Sequence, residues 1–137
     1  MSTMVQDIRS LHIYHRMTSK DIPWGDLEEL HFRIMAMQEE LEEFTQANTQ
    51  AEQLDALIDL VVFAMGTAER MGLLPAWDNA WSQVLQANMA KVRGPNAKRG
   101  DFQVDLQKPP GWKPPDIQAA IDRLYPSRSK EERHEDS

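Results

Sequence analysis

The chain contains no cysteine. That removes disulfide staples, thiolate nucleophiles and sulfur-ligated zinc or iron–sulfur centres, so any metal must be held by oxygen or histidine. No apolar run approaches the roughly 20 residues a membrane-spanning helix needs, and the first residues lack the charged-then-apolar pattern of a secretory signal. A cytoplasmic chain with no membrane partner is expected. Basic charge is also in deficit, with 15 Lys and Arg against 22 Asp and Glu and a net charge of −7. A stable nucleic-acid complex is therefore not expected.

The deficit is local. Between Ile34 and Glu69 there are eight acidic residues and no Lys or Arg, while the other 101 residues carry 15 basic and 14 acidic groups. At 137 residues and 41% hydrophobic content the chain is long enough for one domain, expected over residues 1–126. Residues 127–137 are charged, lack apolar side chains and are expected to be a disordered tail.

Hydrophobic periodicity is helical throughout. A short helix is expected from Met4 to Met17, with Val5, Ile8, Leu11 and Tyr14 or His15 on one side. Ile22-Pro23-Trp24-Gly25 breaks it, and Asp26 can cap a long helix from Leu27 to about Ala47. There Leu27, Leu30, Ile34, Met37, Leu41 and Phe44 form a stripe expected to face the core. A second long helix is expected from Ala51 to about Met71, ending at Gly72. Its segment Ala56–Ala68 is apolar almost all round and is expected to be the most buried helix. A further helix follows from about Ala76 to Val92. Gly94, Gly100, Gly111 and five prolines then predict a loop or a short hairpin around Phe102–Leu106 before a last helix, Asp116–Tyr125. The expected architecture is an all-α bundle.

Beside the apolar stripe of the first long helix runs a second one, Arg33, Ala36, Glu40, Glu43 and Ala47, at steps of three and four. Glu39 and Glu42 lie further round. On the next helix Glu52, Asp55, Asp59, Val62 and Gly66 form a matching line. An antiparallel pairing of the two would gather about four carboxylates in one cleft. Burying one unpaired carboxylate costs several kcal/mol or neutralises it, and like charges add to that. A divalent cation relieves both costs, and Mg²⁺ or Mn²⁺ suits an all-oxygen site. Two plainer readings stand beside this one. Glu39–Glu43 can be a solvated helix face, and Asp59 can be neutralised by Arg33, Arg70 or Lys91 as a structural pair.

These residues also carry a resemblance. Glu39-Glu40-Leu41-Glu42-Glu43 is similar to the EExxE motif, and Asp55-Ala-Leu-Ile-Asp59-Leu-Val-Val-Phe to the acidic-plus-apolar second motif, of the all-α nucleoside triphosphate pyrophosphohydrolases. That superfamily includes MazG-like proteins, all-α dUTPases and phosphoribosyl-ATP pyrophosphohydrolase. Ala87-Asn88-Met89-Ala90-Lys91-Val92 and Lys108-Pro109-Pro110-Gly111-Trp112 resemble small stand-alone phage and bacterial members. Asp59 has Ala56, not an acid, three residues before it. Asp55 and Asp59 are favoured as the second acidic pair, and Glu52, in a literal Glu52-Gln-Leu-Asp55, is held in reserve.

The resemblance implies an oligomeric MazG-like fold in which Glu40, Glu43, Asp55 and Asp59 hold Mg²⁺, with Glu39 an additional ligand or a water-orienting group. It implies hydrolysis of a nucleoside triphosphate to the monophosphate and pyrophosphate. Cations for the phosphates are available outside the acidic stretch. Asn88 and Lys91 share a helical face, and Arg93, Lys98, Arg99 and Lys108 follow. Of these, Asn88, Lys91, Arg93 and Lys108 are the candidate substrate contacts; Lys98 and Arg99 read more simply as solvated loop. The G-x-x-x-x-G-K-S/T phosphate cradle is absent.

Trp24, Trp77, Trp81 and Trp112 can stack on a base but more often pack in cores or interfaces, and His12 and His15 lie on the first helix. Phosphoribosyl-ATP is the less favoured substrate, because nothing else in the sequence points to histidine synthesis. A helix pair this short cannot cover its own apolar faces, so a homodimer or homotetramer is expected. The reading from another class is a non-catalytic helical adaptor with an acidic face. A di-iron bundle is excluded, since it needs two Glu-x-x-His pairs and Glu28-Glu29-Leu30-His31 supplies one.

Overall fold

A computed structural model describes residues 2–18 and 26–124. The expected break around Trp24 and the expected charged tail lie outside the described residues. The chain forms two compact units, Met1–Trp77 and Asp78–Ser137.

The first unit begins with α1, Thr3–Tyr14, whose N-cap Ser2 accepts a hydrogen bond from the Val5 amide at 3.3 Å. Helix α2, Leu27–Gln46, is capped by Asp26 as the sequence predicts, with the Glu29 amide 3.3 Å from its carboxylate. Helix α3, Gln50–Arg70, opens on Thr49, which accepts from the Glu52 amide at 3.1 Å, while the Glu52 carboxylate accepts from the Asn48 amide at 3.1 Å. Two amides at the helix start are satisfied by this reciprocal arrangement. The helix stops at Gly72, whose φ of +74° lets the Gly72 and Leu73 amides turn back onto the Glu69 and Ala68 carbonyls.

Helices α2 and α3 run antiparallel in close contact. Glu29 meets Arg70 near one end, Arg33 lies beside Gly66, and Glu43 joins Ala47, Glu52 and Asp55 around a shallow cavity of about 260 Å³ at the other. The apolar core lies elsewhere, between α1 and the end of α3, where Val5, Ile8, Met65 and Leu74 are buried with Val62, Ala68 and Trp77 against them. Each fully buried side chain of this kind contributes about 1.5–3 kcal/mol.

Two burial expectations are corrected and one is met. On α2 the buried residues are Arg33, Ala36 and Glu40, whereas the stripe expected to face the core is largely open, with Leu27 76%, Ile34 48% and Leu41 51% exposed. Helix α3 carries, as expected, more buried residues than any other helix, namely Ala56, Met65, Gly66 and Glu69, although Leu57, Ile58 and Val61 are exposed. On α1 the third buried position is His12; Leu11 and Tyr14 point outward. The reason is common to the two long helices. Small side chains at Ala36, Ala56 and Gly66 allow the backbones to approach along the polar line, and two faces of one helix cannot both meet the same neighbour.

In the second unit α4, Trp77–Met89, ends three residues before its predicted limit. Lys91 turns onto the Asn88 carbonyl, and Val92–Arg93 becomes strand β1, paired antiparallel with β2, Leu106–Gln107. The predicted hairpin exists, but its first strand lies ten residues earlier than Phe102. Gly94 leaves room there for the Gln107 carboxamide, which reaches the Pro95 carbonyl; a Cβ would fall 2.8 Å from it and displace it. Asp105 pins the loop by accepting from Arg99 at 2.8 and 2.9 Å and from the Leu106 amide at 2.8 Å, which holds its carboxyl down at about 2. Helix α5, Ile117–Asp122, is capped by Asp116.

At Gly66 an added Cβ would lie 2.8 Å from His12 Nε2 and 3.1 Å from Arg33 Nη1. His12 is 2% exposed and cannot retreat into solvent. Gly66→Ala is expected to destabilise the protein by about 1–3 kcal/mol despite alanine's better helix propensity. Urea unfolding measures this, and a gain in stability would mean that the His12 contact yields freely.

Candidate active site

The antiparallel helix pair brings the predicted acidic lines to one seam. Glu40, two turns beyond Arg33, is 9% exposed, and its Oε2 is buried without a hydrogen-bond partner. Its carboxyl is held above the ordinary 4.5, first by burial, then by the approach of the Glu43 carboxyl, and then by the charges of Glu43, Asp59 and Asp55. Three of the other predicted acids therefore act on Glu40. Glu39, exposed on the solvent side, is not among them.

Asp59 is half-buried, and Glu43 and Asp55 are exposed. Among the described residues no three carboxylates or histidines converge into a ready-made cation cage. Like charges separate when nothing positive lies between them, so an open arrangement is the physical expectation. The donor set nevertheless fits a hard cation: it is all oxygen, and the inner carboxylate has an unsatisfied oxygen. Mg²⁺ commonly keeps several waters and takes only one or two carboxylates directly. Glu52, the reserve ligand, gives one oxygen to the cap of α3.

The neutralised-pair reading of Asp59 finds no support in the ion pairs among the described residues, which are Arg9–Glu69, Arg70–Glu29 and Arg99–Asp105. Arg70 holds Glu29 through two hydrogen bonds, 2.5 and 3.1 Å, and also donates to the Thr18 carbonyl at 2.6 Å. Arg33 is 7% exposed, with Nε unpartnered, and burial holds its guanidinium below its ordinary value. Sequence reasoning missed this end of the seam. Its signal was Arg33 sharing the stripe of Glu40 and Glu43 while α3 offers Gly66 opposite. His12 is buried as well, and its Nδ1 donates to the Met17 carbonyl at 2.8 Å.

The remaining candidates lie in the second unit or on surfaces. Asn88 and Arg93 are exposed, and Lys91 and Lys108 stand over the Trp112 ring. Trp77 packs on the core, Trp81 is 60% exposed, and His15 stacks edge-on against Tyr14.

Residues 11–88, more than half of the chain, match the phosphoribosyl-ATP pyrophosphohydrolase family. The chain belongs to that family. It is thereby a member of the MazG-like superfamily and a nucleotide pyrophosphohydrolase, a hydrolase acting on acid anhydrides. The non-catalytic adaptor reading gives way to this. No curated protein sequence matches the chain. The stretch matched to the pyrophosphohydrolase family contains all five predicted acids and stops at Asn88, short of Lys91, Arg93 and Lys108.

Glu40 makes stability depend on pH in a defined direction. Its folded value lies above the unfolded one, so its contribution is complete below 4.5 and is lost as pH rises through the raised folded value. In metal-free buffer, wild type is expected to lose stability relative to Glu40→Gln as pH rises above the ordinary carboxyl value of 4.5. Urea midpoints at a series of pH values above it test this, and parallel profiles for the two proteins would contradict it.

Proposed function

We propose that this pyrophosphohydrolase cleaves a ribo- or deoxyribonucleoside triphosphate to the monophosphate and pyrophosphate in an Mg²⁺-dependent reaction, water attacking the α-phosphorus. The observation that carries the reading is the buried, unpartnered oxygen of Glu40 facing Glu43, Asp55 and Asp59. Those four residues would hold Mg²⁺, or Mn²⁺ in its place. The bound ion would supply a more acidic water and positive charge against the departing pyrophosphate.

The chain's own residues do the positioning. Glu40 is held by its burial, which leaves one of its oxygens without a protein partner. Asp59, one turn from Asp55, extends the acidic line on α3, and Glu39 would orient water from the solvent side. Asn88, Lys91, Arg93 and Lys108 are proposed phosphate contacts. Phosphoribosyl-ATP carries the same triphosphate and belongs in the substrate panel; base and sugar preference do not follow from this chemistry.

A second copy of the chain is proposed to cover the open apolar faces, giving a homodimer or homotetramer. The support is the row Leu27, Ile34 and Leu41 on α2 together with Leu57, Ile58 and Val61 on α3, all exposed in the single chain. Such rows are large for a monomer's surface. A cytoplasmic location is proposed with it; among the described residues no helix is long and apolar enough to cross a membrane.

A panel of NTPs, dNTPs and phosphoribosyl-ATP with Mg²⁺, assayed for pyrophosphate, tests the reaction. Glu43→Gln and Asp59→Asn are expected to abolish hydrolysis while the helical circular dichroism signal stays near wild type. Turnover retained in both would remove these assignments. In sedimentation at micromolar concentration the protein is expected to run as an oligomer, and a monomer would contradict the proposed self-association.

A further inference from the structure

The second unit carries a construction that hydrolysis at the acidic seam does not explain. Strands β1 and β2 pair with Val92 opposite Gln107 and Arg93 opposite Leu106. One step further along the same register stands Lys91 opposite Lys108. Opposed side chains of an antiparallel pair lie on one face, and like charges placed so are destabilising. Alternation along β1 puts Arg93 on that face too.

Both ammonium groups stand over one ring, Lys91 half-buried and Lys108 exposed. Lys91 Nζ lies 5.2 Å and Lys108 Nζ 4.9 Å from the centroid of one indole, that of Trp112. The sequence places this ring deliberately. Pro109-Pro110-Gly111-Trp112 forms a tight turn, with the Trp112 amide donating to the Pro109 carbonyl at 3.0 Å and Gly111 at φ +79°, the conformation that proline then glycine favour in a type II turn. The turn delivers the indole to α4, where Nε1 donates to the Ala87 carbonyl at 2.7 Å. Trp112 is thus held through its backbone amide and its indole N–H, and is half-buried.

A ring attracts each ammonium by about 0.5–1 kcal/mol at exposed sites, but it neutralises neither. Among the described residues no carboxylate forms an ion pair with Lys91, Arg93 or Lys108. Asp105, which the charge of Lys91 reaches, is committed to Arg99 and the Leu106 amide. We infer that Lys91 and Lys108, positioned by Trp112, form a two-pronged clamp for adjacent phosphates of a polyphosphate chain. The inference rests on the pyrophosphohydrolase reading for the source of that chain, a nucleotide substrate. Trp112 is a positioning residue: it acts through the lysines.

The test uses the full-length protein in EDTA and inorganic tripolyphosphate as probe, with binding followed calorimetrically and through the Trp112 indole N–H resonance, assigned by its loss in Trp112→Phe. Tripolyphosphate is expected to shift that resonance and to bind more tightly than orthophosphate. Lys91→Met and Lys108→Met, which keep the aliphatic stem, are each expected to weaken binding about tenfold, and Lys108→Arg to restore it. Trp112→Phe keeps a ring but loses the tether, and is expected to weaken binding with both lysines present and helix content unchanged. Wild-type affinity in both Met variants would overturn the clamp, as would equal affinity for orthophosphate or tighter binding of a single-stranded oligonucleotide. Since neither metal nor hydrolysable nucleotide is used, binding that survives in a protein with no hydrolytic activity refutes the catalytic reading alone. An active enzyme whose Met variants bind tripolyphosphate normally refutes the clamp alone.

Discussion

The structure of the first unit depends on where one carboxylate is allowed to sit. Glu40 lies against α3 with an oxygen that no protein group satisfies, in the company of three further acids. Burial of that kind is unfavourable in the isolated chain and is offset only by what surrounds it. The helix pair accepts it because Ala36, Ala56 and Gly66 let α2 and α3 approach closely along this line. Once the polar line faces inward, the apolar stripe of α2 has to face outward. Acidic seam and exposed apolar rows are consequences of one rotational choice.

The seam is also graded. Its far end carries Arg33, the Glu29–Arg70 pair and His12, so a cationic end and an anionic end share one helix interface, Arg33 and Glu40 lying two turns, or about 10 Å, apart. Of the eight acids in the charge-deficient stretch, Glu69 departs from the set: it is 2% exposed and faces Arg9 of α1 at 3.9 Å. Glu52 serves the cap of α3. The acidic run that looks uniform in the sequence is divided by the fold among capping, inter-helix pairing and the candidate site.

The second unit solves a different problem with local means. A turn specified by Pro-Pro-Gly, a ribbon of two residues per strand and one indole hydrogen bond hold two lysines on one ring. None of these elements is long, and none depends on a large apolar core. Each is fixed by backbone chemistry at a few positions: Gly94 for space, Gly111 for its left-handed φ, and Asp105 for the hydrogen bonds that close the loop.

The start of α2 and the end of α3 were legible from the chain alone, because Asp26 and Gly72 act through hydrogen bonds and dihedral preferences within a turn of where they stand. The pairing of the acidic lines was legible for a similar reason, since steps of three and four fix which side chains share a face. Which face turns inward was not. The apolar stripe and the Ala–Glu stripe of α2 are equally regular, and only contact with α3, where small residues permit close approach, selects between them. The meeting of Lys91 with Lys108 was likewise beyond the sequence, because strand register is set by partners far apart in the chain. Local order was written in the sequence; inward orientation and register were decided by tertiary packing, since both depend on what a distant segment presents.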